Sequence, residues 1–206
     1  GGTNLPPFFS LRYMIKQFYQ KVLPSQGVYC ACGIKAGKAT HRFAETLDKL
    51  EEVIHELAAD QQNVFVAPNS FDGHSRLAKH AAFSRSFFID LDVGDNDKKY
   101  RTKEEALTAL NAFLTDTGLP PPIIVDSGGG YHAYWAFSED VPIEEWKIYS
   151  ARFKDYCLSN GLKIDPAVTA DAARILRCPD TKNYKTDPPR DTAVLDGPML
   201  EYGFGS

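Results

Sequence analysis

The sequence predicts a mixed α/β or α+β domain rather than an all-parallel doubly wound sheet. Helical and strand patterns alternate along most of the chain. The strands expected at 123–126 and 131–137 are separated only by a short turn through Gly128-Gly129-Gly130, a hairpin spacing that antiparallel neighbours use and parallel ones cannot. With 206 residues, 43% of them apolar and 24% charged, the chain can bury a core of its own and is expected to be one domain over 1–206. Its abrupt end after Tyr202-Gly203-Phe204 is expected of a domain cut from a longer protein.

Leu11, Ile15, Phe18 and Val22 recur at helical spacing and predict a helix over 8–22, stopped by Pro24. Val28–Ile34 reads as a strand. Leu47, Leu50, Ile54 and Leu57 form the apolar stripe of a helix over 43–59, and Val64–Ala67 follows as a short strand. Residues 86–93 form another strand. Thr102 with Glu105 is a capping box opening a helix through Leu107, Leu110 and Leu114, ended by Gly118 and the prolines at 120–122. After the glycine hairpin, a helix from Pro142 to Asn160 turns Trp146, Phe153 and Cys157 inward and ends at Gly161. The remainder is irregular, with a strand at Thr192–Leu195.

No apolar run approaches the length needed to span a bilayer, and no basic segment with an apolar stretch opens the chain, so a cytoplasmic protein is expected. Cys30 and Cys32, two apart on one strand, point the same way and bridge poorly. A zinc site with His41 lacks a CxxC and a fourth ligand, so the four cysteines are expected to be buried free thiols. The net charge of −4 excludes a coat of positive potential, but charge is segregated. Glu45, Asp48, Glu51, Glu52, Glu56 and Asp60 predict a solvated acidic face. Arg174, Arg177, Lys182, Lys185 and Arg190 predict a phosphate-facing one.

Three segments carry chemistry. Period-two geometry in Phe87–Val93 sends Phe87, Ile89, Leu91 and Val93 to the core and sets Asp90 and Asp92 side by side on the other face. Two carboxylates so close repel unless a cation lies between them, and hard cations such as Mg²⁺ prefer oxygen ligands. In Ser127-Gly128-Gly129-Gly130-Tyr131-His132, consecutive glycines let backbone N–H groups converge on an anion, Ser127 adds a hydroxyl, and His132 leaves the turn towards what they hold. A Walker A loop is excluded, because no Lys-Ser/Thr follows. Finally, Ile164-Asp165 delivers a third carboxylate before a proline turn. Arg174 and Arg177, three apart, are placed by their spacing on one side of a helical turn, offering forks to phosphate. Asp171 rivals Asp165 for the third position.

Together these segments resemble the archaeo-eukaryotic primase superfamily, above all the primase-polymerase modules of phages and mobile elements. That family has an acidic DxD or DxE strand, a small-residue turn ending in histidine, and a hydrophobic-Asp segment followed by Arg/Lys-Pro. The resemblance covers about residues 84–186. It implies a two-lobed fold, an N-terminal α/β lobe and a C-terminal RRM-like lobe, with the active site in the cleft between them. It implies ligation of two Mg²⁺ or Mn²⁺ ions by the catalytic Asp90, Asp92 and Asp165. It also implies nucleotide contacts from Ser127, Gly128, Gly129, His132, Arg177, Asn183 and Lys185. Where many members carry serine two residues before the histidine, this chain has Gly130. The implied function is template-dependent nucleotidyl transfer, as DNA primase or DNA polymerase, on single-stranded template and primer strand with an NTP or dNTP and a fused or associated helicase. The rival readings are a metal-dependent nuclease and a non-catalytic replication-initiation or nucleic-acid-binding module.

Overall fold

A computed structural model describes residues 7–205, with side chains from residue 15 onward. Helix α1 (Pro7–Val22) buries Ile15, Phe18 and Val22 as the spacing predicts, and Leu11 lies outside the described side chains. Strand β1 (Tyr29–Lys35) follows. The helix predicted from residue 43 starts later, as α2 (Leu47–Ala59), because Thr46 caps it by accepting the Lys49 N–H at 3.1 Å. The residues before the cap form β2 (Lys38–Ala44), which the sequence reading missed. They pair with β1 across Ala36 and Gly37, both at positive φ (50° and 75°), a two-residue turn suited to the twist of a hairpin. An edge strand that is mostly exposed and polar carries no hydrophobic alternation by which to find it.

Strands β3 (Asn63–Val66) and β8 (Leu176–Arg177) complete a four-stranded antiparallel sheet in the order β2-β1-β3-β8. Helix α2 packs on one face through Leu50, Val53, Ile54 and Leu57. Its acidic face is exposed to solvent, as predicted, and carries surface ion pairs. Asp48 pairs with Lys16, Glu52 with Lys49, Glu56 with Arg42 and Asp60 with Lys35, at 2.7–3.2 Å.

A second sheet runs β11-β6-β7-β5-β4, built from β4 (Ser70–Phe71), β5 (Ala81–Asp92), β6 (Ile123–Asp126), β7 (Gly130–Pro142) and β11 (Ala193–Val194), with β12 (Glu201–Tyr202) parallel on β7. One core cluster, with Phe88, Tyr134 and Trp146, lies on one face and joins this sheet to α1, α2 and the first sheet. A second, with Ile89, Leu91 and Trp135, fills the other face beneath α3 (Lys103–Thr117). Thr102 caps α3 through the Glu105 N–H, but the Glu105 carboxylate takes the N–H of Arg101 rather than that of the cap itself. Gly118 ends α3 at φ 71°. Helix α4 (Ile143–Ser159) buries Trp146, whose indole N–H donates to the Ser86 carbonyl at 2.9 Å, and Cys157. All four cysteines are buried and free, and no helix among the described residues is long and apolar enough to cross a membrane.

The segment after α4 departs most from expectation. No helical turn carries Arg174 and Arg177; Arg177 instead sits in β8, paired with Phe65, because the strand edge of β3 offers a ladder that a loop cannot. Strands β9 (Lys182–Asn183) and β10 (Arg190–Asp191) form a small hairpin. Ahead of it, Asp180 adopts a left-handed φ of 56°, and its Oδ2 is buried without a hydrogen-bond partner among the described residues. Burial pushes its carboxyl up to about 6. The unfolded chain releases that proton near pH 4 while the fold retains it, so Asp180 removes stability as pH rises through this window. Asp180→Asn, which tolerates the same φ, should be more stable than the parent at neutral pH and should flatten the pH dependence of the urea midpoint between about pH 4 and 6.

Candidate functional site

The β5–β7 ladder sets the first elements of the site. Asp90 lies directly across from His132 and Asp92 across from Gly130. Gly130 has a steric reason. A Cβ there would come within 2.3 Å of the Leu91 carbonyl oxygen, so the two strands approach as they do only because the position is bare. On the far side of Asp90 the chain after α4 returns, and the Asp165 N–H donates to the Asp90 carbonyl at 3.0 Å. That bond brings one carboxylate oxygen from each of Asp90, Asp92 and Asp165 within 4.8 Å of the others. Asp171 stays outside the cluster, where it pairs with Arg174 at 3.1 Å and accepts the Ala173 N–H.

Burial raises the Asp92 carboxyl above the ordinary range, helped by Asp90 and opposed by Lys99. Lys99 was not anticipated from sequence. Its ammonium lies 3.6 Å from Asp92, and its stem folds back over Gly94, where a Cβ would meet Lys99 Cδ at 2.8 Å. Three half-buried carboxylates this close, with one of them pushed towards its protonated form, fit a hard divalent cation, which supplies the missing positive charge.

The glycine turn is held more tightly than its sequence suggests. Lys103 pairs with Asp126, whose carboxylate also accepts the Gly128 N–H at 2.8 Å. The Ser127 N–H donates to the Gly130 carbonyl, and the Gly130 N–H donates to Ser127 Oγ. Asn183 donates to the Ser127 carbonyl and Arg190 to the Gly128 carbonyl. The N–H groups expected to converge on an anion are therefore largely committed within the turn. Only that of Gly129 has no partner among the described residues. Gly128 instead serves conformation, at φ 88° with Asn183 3.0 Å from where its Cβ would be. Asn183 likewise spends its amide as a clamp, since its Oδ1 accepts the Lys185 N–H.

His132 is 6% exposed, with Nε2 3.4 Å from Asp90 Oδ1 and Nδ1 buried without a partner among the described residues. Arg177 is 4% exposed. Its guanidinium lies 4.6 Å over the Phe65 ring and donates to Asn63 at 2.9 Å, with no carboxylate in ion-pair range among the described residues. Desolvation alone lowers its pKa to about 10. These groups line one cavity of about 430 Å³, together with the three carboxylates, Lys99, Ser127, Gly129, Arg174 and the exposed Lys185. A larger recess of about 560 Å³ lies on the other side of the β9–β10 hairpin, but none of the three carboxylates lines it.

The chain superposes on the primase-polymerase domain of cyanophage S-2L, described as an AEP domain, with a TM-score of 0.61 and 14% identity, over 96% of this chain and 94% of that one. The chain has the archaeo-eukaryotic primase fold. Primase RepB′ gives a TM-score of 0.60 at 13% identity, over 94% of this chain and 59% of that one. The RepB′ catalytic domain solved with initiator DNA gives 0.60 at 14%, over 94% and 88%. At these identities the likeness is one of fold. No family profile and no curated protein matches the chain.

Within this primase fold, Gly130 stands where the resembling pattern carries serine, and the Leu91 carbonyl explains why no side chain fits there. Lys99→Met removes the one cation in ion-pair range of the carboxylate cluster among the described lysines and arginines. The variant should melt at a lower temperature than the parent without divalent ions. By titration calorimetry it should bind Mn²⁺ about two- to fivefold more tightly, the range of a partly exposed ion pair. Equal melting temperatures and equal Mn²⁺ affinities would remove Lys99 from the electrostatics of the site.

Proposed function

We propose that this chain is a template-dependent nucleotidyl transferase, a DNA primase or DNA polymerase, acting on single-stranded or primed DNA. The observation that carries the reading is a buried guanidinium, with no carboxylate in ion-pair range among the described residues, that lines one cavity with three clustered carboxylates. An uncompensated buried cation is costly unless an anion arrives to meet it. The cavity therefore suits a substrate whose phosphates meet both a carboxylate-held metal and Arg177. A nuclease would use the carboxylates but needs no pocket for a triphosphate, and a purely DNA-binding module has no need of the carboxylate cluster.

In this reading Asp90, Asp92 and Asp165 hold two Mg²⁺ or Mn²⁺ ions. Ions held there would make a primer 3′-hydroxyl more acidic and offset phosphate charge as that oxygen bonds to the α-phosphorus of the incoming NTP or dNTP and pyrophosphate leaves. Arg177 presents its remaining N–H groups to the terminal phosphates, with its plane fixed by Phe65 and Asn63. His132, beside Asp90, donates to a phosphate oxygen rather than abstracting a proton. Ser127 retains its hydroxyl proton for the nucleotide, Gly129 offers its free N–H, and Lys185 waits at the rim. Gly128 and Asn183 act through the turn they shape. We assign the whole chain to one catalytic domain, with its cleft between the two sheets, and the presence of initiator DNA on one RepB′ structure is in keeping with a DNA partner.

Incubation with single-stranded DNA, labelled nucleotides and Mg²⁺ or Mn²⁺, with and without primer, tests the activity. Asp90→Ala with Asp92→Ala should abolish incorporation and leave the fold intact, since both residues lie at the end of a strand. Asp165→Asn should lose most incorporation and raise the metal requirement, while Asp171→Asn, which disturbs only the Arg174 pair, should change little. Activity in the double mutant, or the reverse ranking of Asp165 and Asp171, would overturn the ligand assignment.

For the nucleotide, His132→Ala or Arg177→Met should weaken binding about ten- to a hundredfold, the worth of one charge-assisted contact. Measured by equilibrium binding of labelled nucleotide, unchanged affinity with weakened DNA binding would move both residues to the template.

A further inference from the structure

The larger recess, of about 560 Å³, takes no part in nucleotidyl transfer, yet its size is that of a small-ligand site. One wall is the β9–β10 hairpin with its flanking residues Asp180, Thr181, Thr192 and Ala193. The other comes from the end of α2, with His55 and Ala58, and from Ile15 of α1.

The charge of Asp180 has no answer in this lining. Its Oδ2 is buried without a hydrogen-bond partner, and no lysine, arginine or histidine lies in ion-pair range among the described residues, so burial alone raises its carboxyl. The donors nearby are spent elsewhere. Thr181 and Thr192 turn their hydroxyls to the Cys178 carbonyl, at 2.7 and 2.9 Å. Gln62 donates to Asp60, and Lys182 pairs with Asp191. Two carboxylates against one lysine leave the lining with an excess negative charge once Asp180 is ionised. The empty fold is better served by asparagine at this position. A carboxylate held in a cavity at a cost in stability marks a place where a ligand supplies what the fold withholds.

What is withheld is positive charge in a form that fits beside apolar walls. Ile15, Ala58 and Ala193 are apolar, and Tyr184 adds a ring. A compact ammonium is strongly hydrated and costly to bring there. A planar guanidinium or amidinium is weakly hydrated, stacks on rings and donates to carboxylates. Alternation along the hairpin also links the recess to the glycine turn. Lys182 and Tyr184 border the recess, while Asn183 between them donates to the Ser127 carbonyl. Asp191 borders it too, while Arg190 donates to the Gly128 carbonyl.

We propose that this recess is a second binding site, which takes a planar guanidinium or amidinium cation on Asp180, the chemistry of an arginine side chain, and that the β9–β10 hairpin passes its occupancy to the glycine turn. The site stands independently of the nucleotidyl-transferase reading, since none of the three clustered carboxylates lines it.

An NMR titration of the parent and of Asp180→Asn tests this, with benzamidine, its neutral counterpart benzamide and a blocked Gly-Arg-Gly peptide as probes. Benzamidine should shift the amides of Thr181, Tyr184 and Ala193 in the parent, and benzamide should not. Asp180→Asn should bind benzamidine about tenfold more weakly or worse, the loss of one charge-assisted contact. The Gly128 and Gly129 amides should move together with those of the recess. Binding of the peptide, alone or with benzamidine, assigns the site to an arginine side chain, and binding of benzamidine alone assigns it to a small free cation. Equal binding of benzamidine and benzamide, equal affinity in the two proteins, or no binding of either cation would overturn the site. Saturation that shifts the recess amides and leaves those of Gly128 and Gly129 in place would overturn the link to the turn.

Discussion

The antiparallel ladder between β5 and β7 is the constraint on which the site depends. It sets Asp90 opposite His132 and Asp92 opposite Gly130, and it closes to that distance because Gly130 offers nothing to collide with the Leu91 carbonyl. The same strand then serves as the dock for Asp165 through the Asp90 carbonyl. A slip of one residue would turn Asp90 and Asp92 into the core that now holds Ile89 and Leu91. Site geometry and core packing are thus two faces of one register.

Electrostatics leaves the cavity with two kinds of unmatched charge. Three clustered carboxylates and a desolvated guanidinium are each unfavourable in isolation, and no ion pair joins them among the described residues. Lys99 eases Asp92, and Phe65 receives Arg177 through its π face. The unmatched charges destabilise the empty site and favour a ligand that brings positive charge to the carboxylates and negative charge to the guanidinium.

The glycine turn, which sequence suggests is supple, is held by the chain around it. Lys103 and Asp126 fix it from α3 and β6, and Asn183 and Arg190 fix it from the β9–β10 hairpin. Because that hairpin stands between two cavities, Asn183 faces the turn while Lys182 and Tyr184 border the larger recess. The turn is thus ordered partly by its own neighbour Asp126 and partly by Asn183 and Arg190, more than fifty residues away in sequence.

Local patterns were enough to read α1, α2 except for its start, α3, α4, β1, β3, β5, β6, β7 and β11, because each buries apolar residues whose pattern the sequence displays. They also placed Asp90 and Asp92 on one face, since period two is a property of any strand. Edge strand β2 stayed hidden because its residues are polar and exposed, and β8, β9 and β10 because two-residue strands exist only when a partner supplies the ladder. The sequence by itself therefore determined the mixed class and the composition of the site. The sequence also put Asp165 ahead of its rival Asp171, and the fold brings Asp165 to the two strand carboxylates through its backbone bond to Asp90. Tertiary structure alone decided that Lys99 and Phe65 belong to the cavity, and that Gly128 and Asn183 shape the turn. Each of those depends on a backbone bond, a packed ring or a steric limit between residues distant in the chain, and no local periodicity encodes a contact of that kind.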